Sequence, residues 1–222
     1  MSNLLGVLLL TVLPAISAAE PYGGLAFDQQ LERFTQLAME GKSQEAMVFL
    51  RLPGFLHAAD HEGRTALFAA AVACNTDVLD QVLARGPQLD HRDNNGATAL
   101  FYAASRGRTD VLRRLIQHGA NVNLSDTNGR TPLMASVLMH HPEATSLLLD
   151  AKVDVNRQDR DGATALLDAV DGGHYDLADL LLKHGADPRL ARNNGTTPLQ
   201  VARAKSLPKI VELLRQDEAA EF

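Results

Sequence analysis

The chain has 222 residues, 45% hydrophobic but only 5% aromatic, with no Trp and a single Cys. Its 21 Lys and Arg against 27 Asp and Glu leave a formal charge of −6, which argues against a nucleic-acid binder, since that needs a basic face to displace phosphate counterions. Cys74 alone can form neither an intramolecular disulfide nor a Cys-based zinc site, and Leu and Ala in place of large aromatics suggest many thin helix–helix contacts rather than one thick core.

Residues 1–19 (MSNLLGVLLLTVLPAISAA) carry no charged side chain. The apolar run from Leu4 to Ile16 has the length of a signal-peptide core and falls short of the roughly 20 residues that span a bilayer. Pro14 breaks the run. Ser17 and Ala19 then supply the small residues that a cut before Glu20 requires, and Ala15 and Ser17 offer a second cut. A cleaved signal peptide, an uncleaved N-terminal anchor and a buried first helix all fit. The small-residue site favours cleavage, while the absence of Lys or Arg before the run weakens it. The first two readings share export.

Residues 20–59 read as a linker and a divergent N-terminal capping repeat. Helical spacing runs over 28–40, with Leu31, Phe34 and Leu37 on one side. It resumes over 43–52 through Ala46, Val48, Phe49 and Leu50, and Pro53 stops the second helix.

From residue 60 the chain repeats. Asp60-His61-Glu62-Gly63-Arg64-Thr65-Ala66-Leu67 returns as Asp93 to Leu100, Asp126 to Leu133, Asp159 to Leu166 and, with Arg for Asp, Arg192 to Leu199. The glycines fall at 63, 96, 129, 162 and 195, a spacing of 33 without slippage. Asp-x-x-Gly is turn chemistry, with Asp folding back on its own backbone and Gly supplying positive φ. Thr65, Thr98, Thr131, Thr164 and Thr197 stand as helix caps, with Pro132 and Pro198 at the first helical position. The Ala70-Ala71 and Ala103-Ala104 pairs let helices approach closely. A second helix in each repeat carries one apolar stripe, as in Val111-Leu112 with Leu115-Ile116. Gly119 and Gly185 end that helix.

This pattern resembles the ankyrin repeat, whose period is about 33 residues with a T-P-L signature. The resemblance implies an all-α ankyrin-repeat solenoid of helix-turn-helix repeats with short β-hairpin-like finger loops. Residues 60–216 make four full repeats and a C-terminal capping repeat, whose last helix runs from Pro208 to Leu214; residues 217–222 make a tail. Arg215, Gln216, Asp217 and Glu218 give that end a polar face, and Glu221-Phe222 is expected to fray.

The departures matter too. Where the family has His after T-P-L, this chain has Phe68, Phe101, Met134, Leu167 and Gln200, so apolar contacts should replace that His's hydrogen bonds. The family's mid-repeat Gly-His survives at Gly107-Arg108 and Gly173-His174 only in part. Cys74, His140 and Ser206 stand in that Gly's place, which predicts positive φ there or a different turn, and Lys152 stands where Gly119 and Gly185 do.

No catalytic constellation is present: there is no glycine-rich phosphate loop and no G-x-S-x-G. His118, His140, His141, His174 and His184 fall in successive repeats, but at helix ends and turns. Exposed turn residues describe them better than a metal site, which needs three or four ligands converging on one point. Cys74 reads as a small turn residue rather than a redox sensor, with no Lys or Arg adjacent.

A binding surface remains. The resemblance implies that finger tips and first helices line a concave face, here Arg64, Val72, Tyr102, Arg106, Arg130, Leu138, Met139, Asp168 and Asp171. Leu138-Met139 beside Val72, Tyr102 and Arg106 has the composition of a protein-binding hot spot; the alternative is that Leu138 and Met139 pack into a longer first helix. Asp161, Asp168 and Asp171 make one end acidic and suited to a basic partner segment. Signal and size resemble the small exported ankyrin proteins of Gram-negative bacteria, some associated with catalases or lying near toxin–immunity systems. That implies a non-enzymatic, monomeric periplasmic module without cofactor, metal or nucleic acid. It would bind a protein partner, and antioxidant chemistry would belong to that partner, such as a catalase. It would stay off the membrane after cleavage or be anchored to the inner membrane by residues 1–19 if uncleaved. The alternatives are an immunity protein that occludes a toxin and a His-rich metal-binding protein.

Overall fold

A computed structural model describes residues 24–220, with side chains to Gln216. The export segment 1–19, Glu221-Phe222, and the side chains of residues 217 and 218 therefore lie outside what it describes.

Twelve α-helices and no strand occur among the described residues, paired as hairpins. The pairs are α1 (Phe27–Met39) with α2 (Ser43–Phe49), α3 (Ala66–Ala73) with α4 (Thr76–Leu83), and α5 (Ala99–Ser105) with α6 (Thr109–Gln117). They continue as α7 (Pro132–Leu138) with α8 (Pro142–Asp150), α9 (Ala165–Gly172) with α10 (Tyr175–Lys183), and α11 (Pro198–Ala204) with α12 (Pro208–Ala220). Each first helix packs on the first helix of the next pair, and each second helix on the next second helix, giving two layers. The core is a continuous seam between those layers.

Composition follows from this layout. A first helix has neighbours on three sides, so nearly all of it is buried, as Ala66 through Ala71 are in α3. Small side chains there allow the helices to approach closely. A second helix is covered on one side only and buries a stripe, as with Val111, Leu112 and Leu115 in α6. Thr98, Thr131, Thr164 and Thr197 cap their helices, each Oγ1 accepting from the N–H three residues on at 3.1–3.3 Å. Thr65 makes no such bond. In the last repeat Gln200, standing where the family has His, bonds back to its cap: its Oε1 accepts from the Thr197 N–H at 3.0 Å and completes a capping box. Phe68 at the same position instead lays its ring 5.6 Å from that of Tyr102 in the next repeat.

The fingers are turns tied into a ladder. The Asp93 carboxylate accepts from the N–H groups of Asn95 and Ala97 at 2.9 and 2.8 Å, and Asp60, Asp126 and Asp159 repeat the arrangement. Each finger then donates backward to its predecessor: Asn94 N to Glu62 O, Thr127 N to Asn95 O, Arg160 N to Asn128 O and Asn193 N to Asp161 O, at 2.8–3.0 Å. Asp28 makes the first rung from α1, accepting from the His61 N–H at 3.2 Å and pairing with its ring at 2.7 Å.

Cys74, His140, Lys152 and Ser206 all take positive φ, between 52° and 58°, so the turn geometry is kept without glycine at each of these places. Gly107 is needed for space as well: a Cβ there would meet the His141 ring at 2.6 Å. That ring's Nε2 reaches Ser105 O of the previous repeat at 3.2 Å. Asn75 serves similarly at the N-terminal end, donating to Ala38 O and Ser43 Oγ at 3.0 Å each.

Both ends differ from the boundaries read in the sequence. α2 stops at Phe49 rather than running to Pro53, because Arg51 N and Leu52 N bond to Val48 O and Phe49 O and tighten the chain into turns. That bend lets Phe55 fold back onto Phe34 and Phe49. At the other end, α12 continues to Ala220, through most of the stretch expected to be a tail.

Candidate functional site

Of the residues read as one concave patch, six line two separate grooves, while Tyr102, Arg106 and Met139 line neither. Arg130, Leu138, Asp168 and Asp171 come together in a groove of about 490 Å³ between α7 and the fingers and first helices that follow, with Asp159, Asp161 and Arg192 also on its walls. Arg64 and Val72 line a different groove, between α1 and α3. The expected cluster of Leu138 with Val72 is therefore not formed, because the two belong to grooves separated by α5.

Leu138 ends α7 and Met139 is its C-cap, leaving them 40% and 55% exposed. The helix stops too early for either to pack into it. Arg106 is likewise exposed, at the C-cap of α5. Tyr102 is half-buried and committed: its hydroxyl donates to Asp93 Oδ2 at 3.0 Å, and burial together with that carboxylate raises its pKa. Arg64 is also engaged, with Asp60 at 2.9 Å and Glu62 at 2.7 Å.

The acidic end is more balanced than the sequence suggests. Asp171 pairs with Lys205 at 2.8 Å and Arg192 at 3.6 Å, the Lys205 bond foremost in holding its carboxyl below the usual range. Arg130 stands 3.8 Å from Asp159. Asp168 is the exception. Burial pushes its pKa from 3.8 up to about 6, against the pull of Arg130 and Arg192. Over that window the folded chain holds a proton that the unfolded chain has released, so stability falls as pH rises through it. Asp168→Asn has nothing to titrate. Its melting temperature is expected to match the parent's near pH 4 and to exceed it by a few degrees above roughly pH 6. Melts across that range check this; a difference independent of pH would contradict it.

The histidines do not converge. His118 and His184 bond to carbonyls of their own helices, Arg114 O and Leu180 O. His141 lies across Gly107. His140 and His174 stack face to face, with centroids 4.0 Å apart, and His140 Nε2 lies 3.3 Å from Asp176. Burial, then the neighbouring His140, lowers the His174 pKa. Among the described residues no three His, Cys, Asp or Glu are grouped so as to hold a metal ion. Cys74 is exposed. No described helix is long and apolar enough to cross a membrane.

Sequence reasoning missed the α1–α3 groove. Its walls include Leu31, Glu32 and Met39 of α1, residues read only as part of a capping helix. Met39, beyond the Leu31–Phe34–Leu37 stripe and 58% exposed, was the available signal.

A family model that itself spans three copies of the ankyrin repeat matches the chain over four overlapping stretches, residues 34–126, 75–159, 122–192 and 152–222. Among solved structures, an ankyrin repeat domain from Acinetobacter baumannii AYE is similar to this chain at 31% identity and a TM-score of 0.76, covering 84% of this chain and 97% of that one. No match is found among curated proteins.

Proposed function

The chain belongs to the ankyrin-repeat family, whose arrays serve as protein-interaction scaffolds, and from that premise we propose that it is an exported, non-enzymatic module that binds a protein partner through its concave face. The observation that carries this reading is the exposure of Leu138 at a groove walled by Arg130, Asp161 and Asp168, with exposed Met139 next to it in sequence. Large apolar side chains left uncovered and ringed by charge are the composition of a partner-binding centre. Export rests on residues 1–19, with the periplasm as destination and Glu20 as the first residue of the mature chain. The likeness of signal and size to small exported ankyrin proteins makes an antioxidant enzyme such as a catalase the first partner to test.

Cross-linking in intact cells, with the captured protein identified by mass spectrometry, tests the reading. Leu138→Asp and Arg106→Glu alter exposed positions and should leave the helical circular-dichroism signal intact while cutting capture at least tenfold. Capture unchanged by both would overturn the assignment of this face. The intact mass of the chain purified without cross-linking tests cleavage: a mass that includes residues 1–19 rules it out.

A further inference from the structure

The groove between α1 and α3 is larger than the Leu138 groove, at about 720 Å³, well within the range of sites that bury a ligand. Leu31, Phe68, Ala69 and Val72 give it an apolar floor. Met39, more than half exposed, stands at its mouth. Its rim is acidic, carrying Asp28, Glu32 and Glu40. Glu40 pairs with Lys42 at 2.8 Å and Asp28 with the His61 ring at 2.7 Å; the one Arg in the walls, Arg64, is already held by Asp60 and Glu62, and Glu32 has no side-chain partner among the described residues. Glu32 is thus the free carboxylate of a rim on which acids outnumber bases, and an apolar floor with such a rim is complementary to an apolar surface flanked by cations.

The walls also select the form of the occupant. They are two helices whose backbone groups are spent on their own hydrogen bonds, closed at one side by the finger turn of Asp60, His61 and Arg64, and no strand occurs among the described residues. An extended peptide would find no sheet edge to join. A third helix can lay its side chains between them. α1, with 13 residues, offers about 20 Å of wall, enough for three to four turns.

We propose that this groove docks a short amphipathic helix of a partner protein, its apolar face on Leu31, Phe68 and Val72 and its Lys or Arg flanks against Asp28, Glu32 and Glu40. This rests on the reading of the chain as a protein-binding module and names a second contact, distinct from the Leu138 groove.

The test titrates the full chain against fluorescent synthetic peptides by anisotropy. One peptide carries Leu at helical spacing with Lys elsewhere; a second has the same Leu face with Glu elsewhere; a third has the composition of the first in scrambled order. The first should bind at least tenfold tighter than the other two. Glu32→Lys and Met39→Glu, both at exposed positions, should each weaken it about tenfold, and Leu138→Asp should leave it unchanged. Equal binding of the Lys and Glu peptides, or binding untouched by both groove variants, overturns the proposal. So does tight binding of an uncharged peptide of residues 2–19, which would assign the groove to the chain's own N-terminal segment. Self-association abolished by Met39→Glu without peptide binding would assign it to a second copy and also overturns it. If the peptide fails here while Leu138→Asp still abolishes partner capture, this inference falls and the concave-face reading stands. If the Lys peptide binds as expected while capture ignores Leu138→Asp and Arg106→Glu, the Leu138 groove falls as the partner site and this inference stands.

Discussion

Phe34→Ala is expected to remove about 3–5 kcal/mol of stability, the range for emptying a large aromatic from a packed core, and to unfold one end of the molecule ahead of the rest. Phe34 is fully buried, its ring centroid 6.2 Å from that of Phe49 and 5.4 Å from that of Phe55, both in edge-on contact. Phe27 packs on Phe55 from the other side, at 5.5 Å. Four of the seven Phe thus sit in the capping repeat, where their rings pack on one another. Alanine leaves the remaining rings around a void that the short α2 and its turns cannot refill. In a stack each repeat touches only its neighbours, so the loss falls on α1, α2 and their contact with α3 before it is felt further on. Hydrogen exchange should show protection lost over residues 27–56 and largely retained from α5 onward. A single transition shifted uniformly through all repeats would show instead that the capping pair does not open on its own. The same substitution should abolish binding in the α1–α3 groove, because α1 is one of its walls.

The repeat register was legible because each finger demands the same local chemistry. Asp folds onto two N–H groups, Gly takes positive φ, and Thr caps the helix that follows; these needs recur every 33 residues, as in Asp93, Gly96 and Thr98. At Cys74, His140 and Ser206 the sequence left positive φ and a different turn both open, and at Lys152 it suggested only a local weakening; all four take the left-handed conformation, because the fold requires it whatever residue stands there. Site residues were less legible because a groove is made by two repeats together, and the spacing within one repeat does not report how far its neighbour's side chains reach. Leu138 and Val72 occupy comparable helices, yet one faces α9's repeat and the other faces α1. The apolar run through Leu138-Met139 left open where α7 ends; the backbone ends it at Leu138, and that single boundary decides exposure. The acidic cluster at Asp161, Asp168 and Asp171 gave no hint that Arg192 and Lys205, from the next repeat, would reach across to Asp171. Stacking of His140 on His174 was equally hidden, since the turns of adjacent repeats meet only once the stack is formed.

Gly162→Ala should cost about 2–4 kcal/mol, and Gly195→Ala only about 1–2 kcal/mol, although the two residues play the same part in their fingers. Their backbone angles are nearly equal, φ +77° and +81°, so the strain of placing a Cβ in the left-handed region, about 1–2 kcal/mol, is common to both. Space separates them. A Cβ on Gly162 would lie 2.7 Å from Asn193 N and 2.7 Å from Asn193 Oδ1, whereas nothing stands within 4 Å of one on Gly195. Asn193 is the rung that ties the last two fingers: its N–H donates to Asp161 O at 2.9 Å and its Nδ2 to Arg160 O at 2.8 Å. The new methyl has to push that residue away, and each bond given up removes roughly 0.5–1.5 kcal/mol. Urea denaturation of the two variants in parallel measures the difference directly. Equal losses would mean that the turn conformation alone sets each finger and that the ladder adds nothing. The distinction also reaches the binding face, because Asn193 lines the groove with Leu138 and Asp168. Displacing it moves one wall of that groove, so Gly162→Ala should weaken partner capture under conditions where the variant remains fully folded.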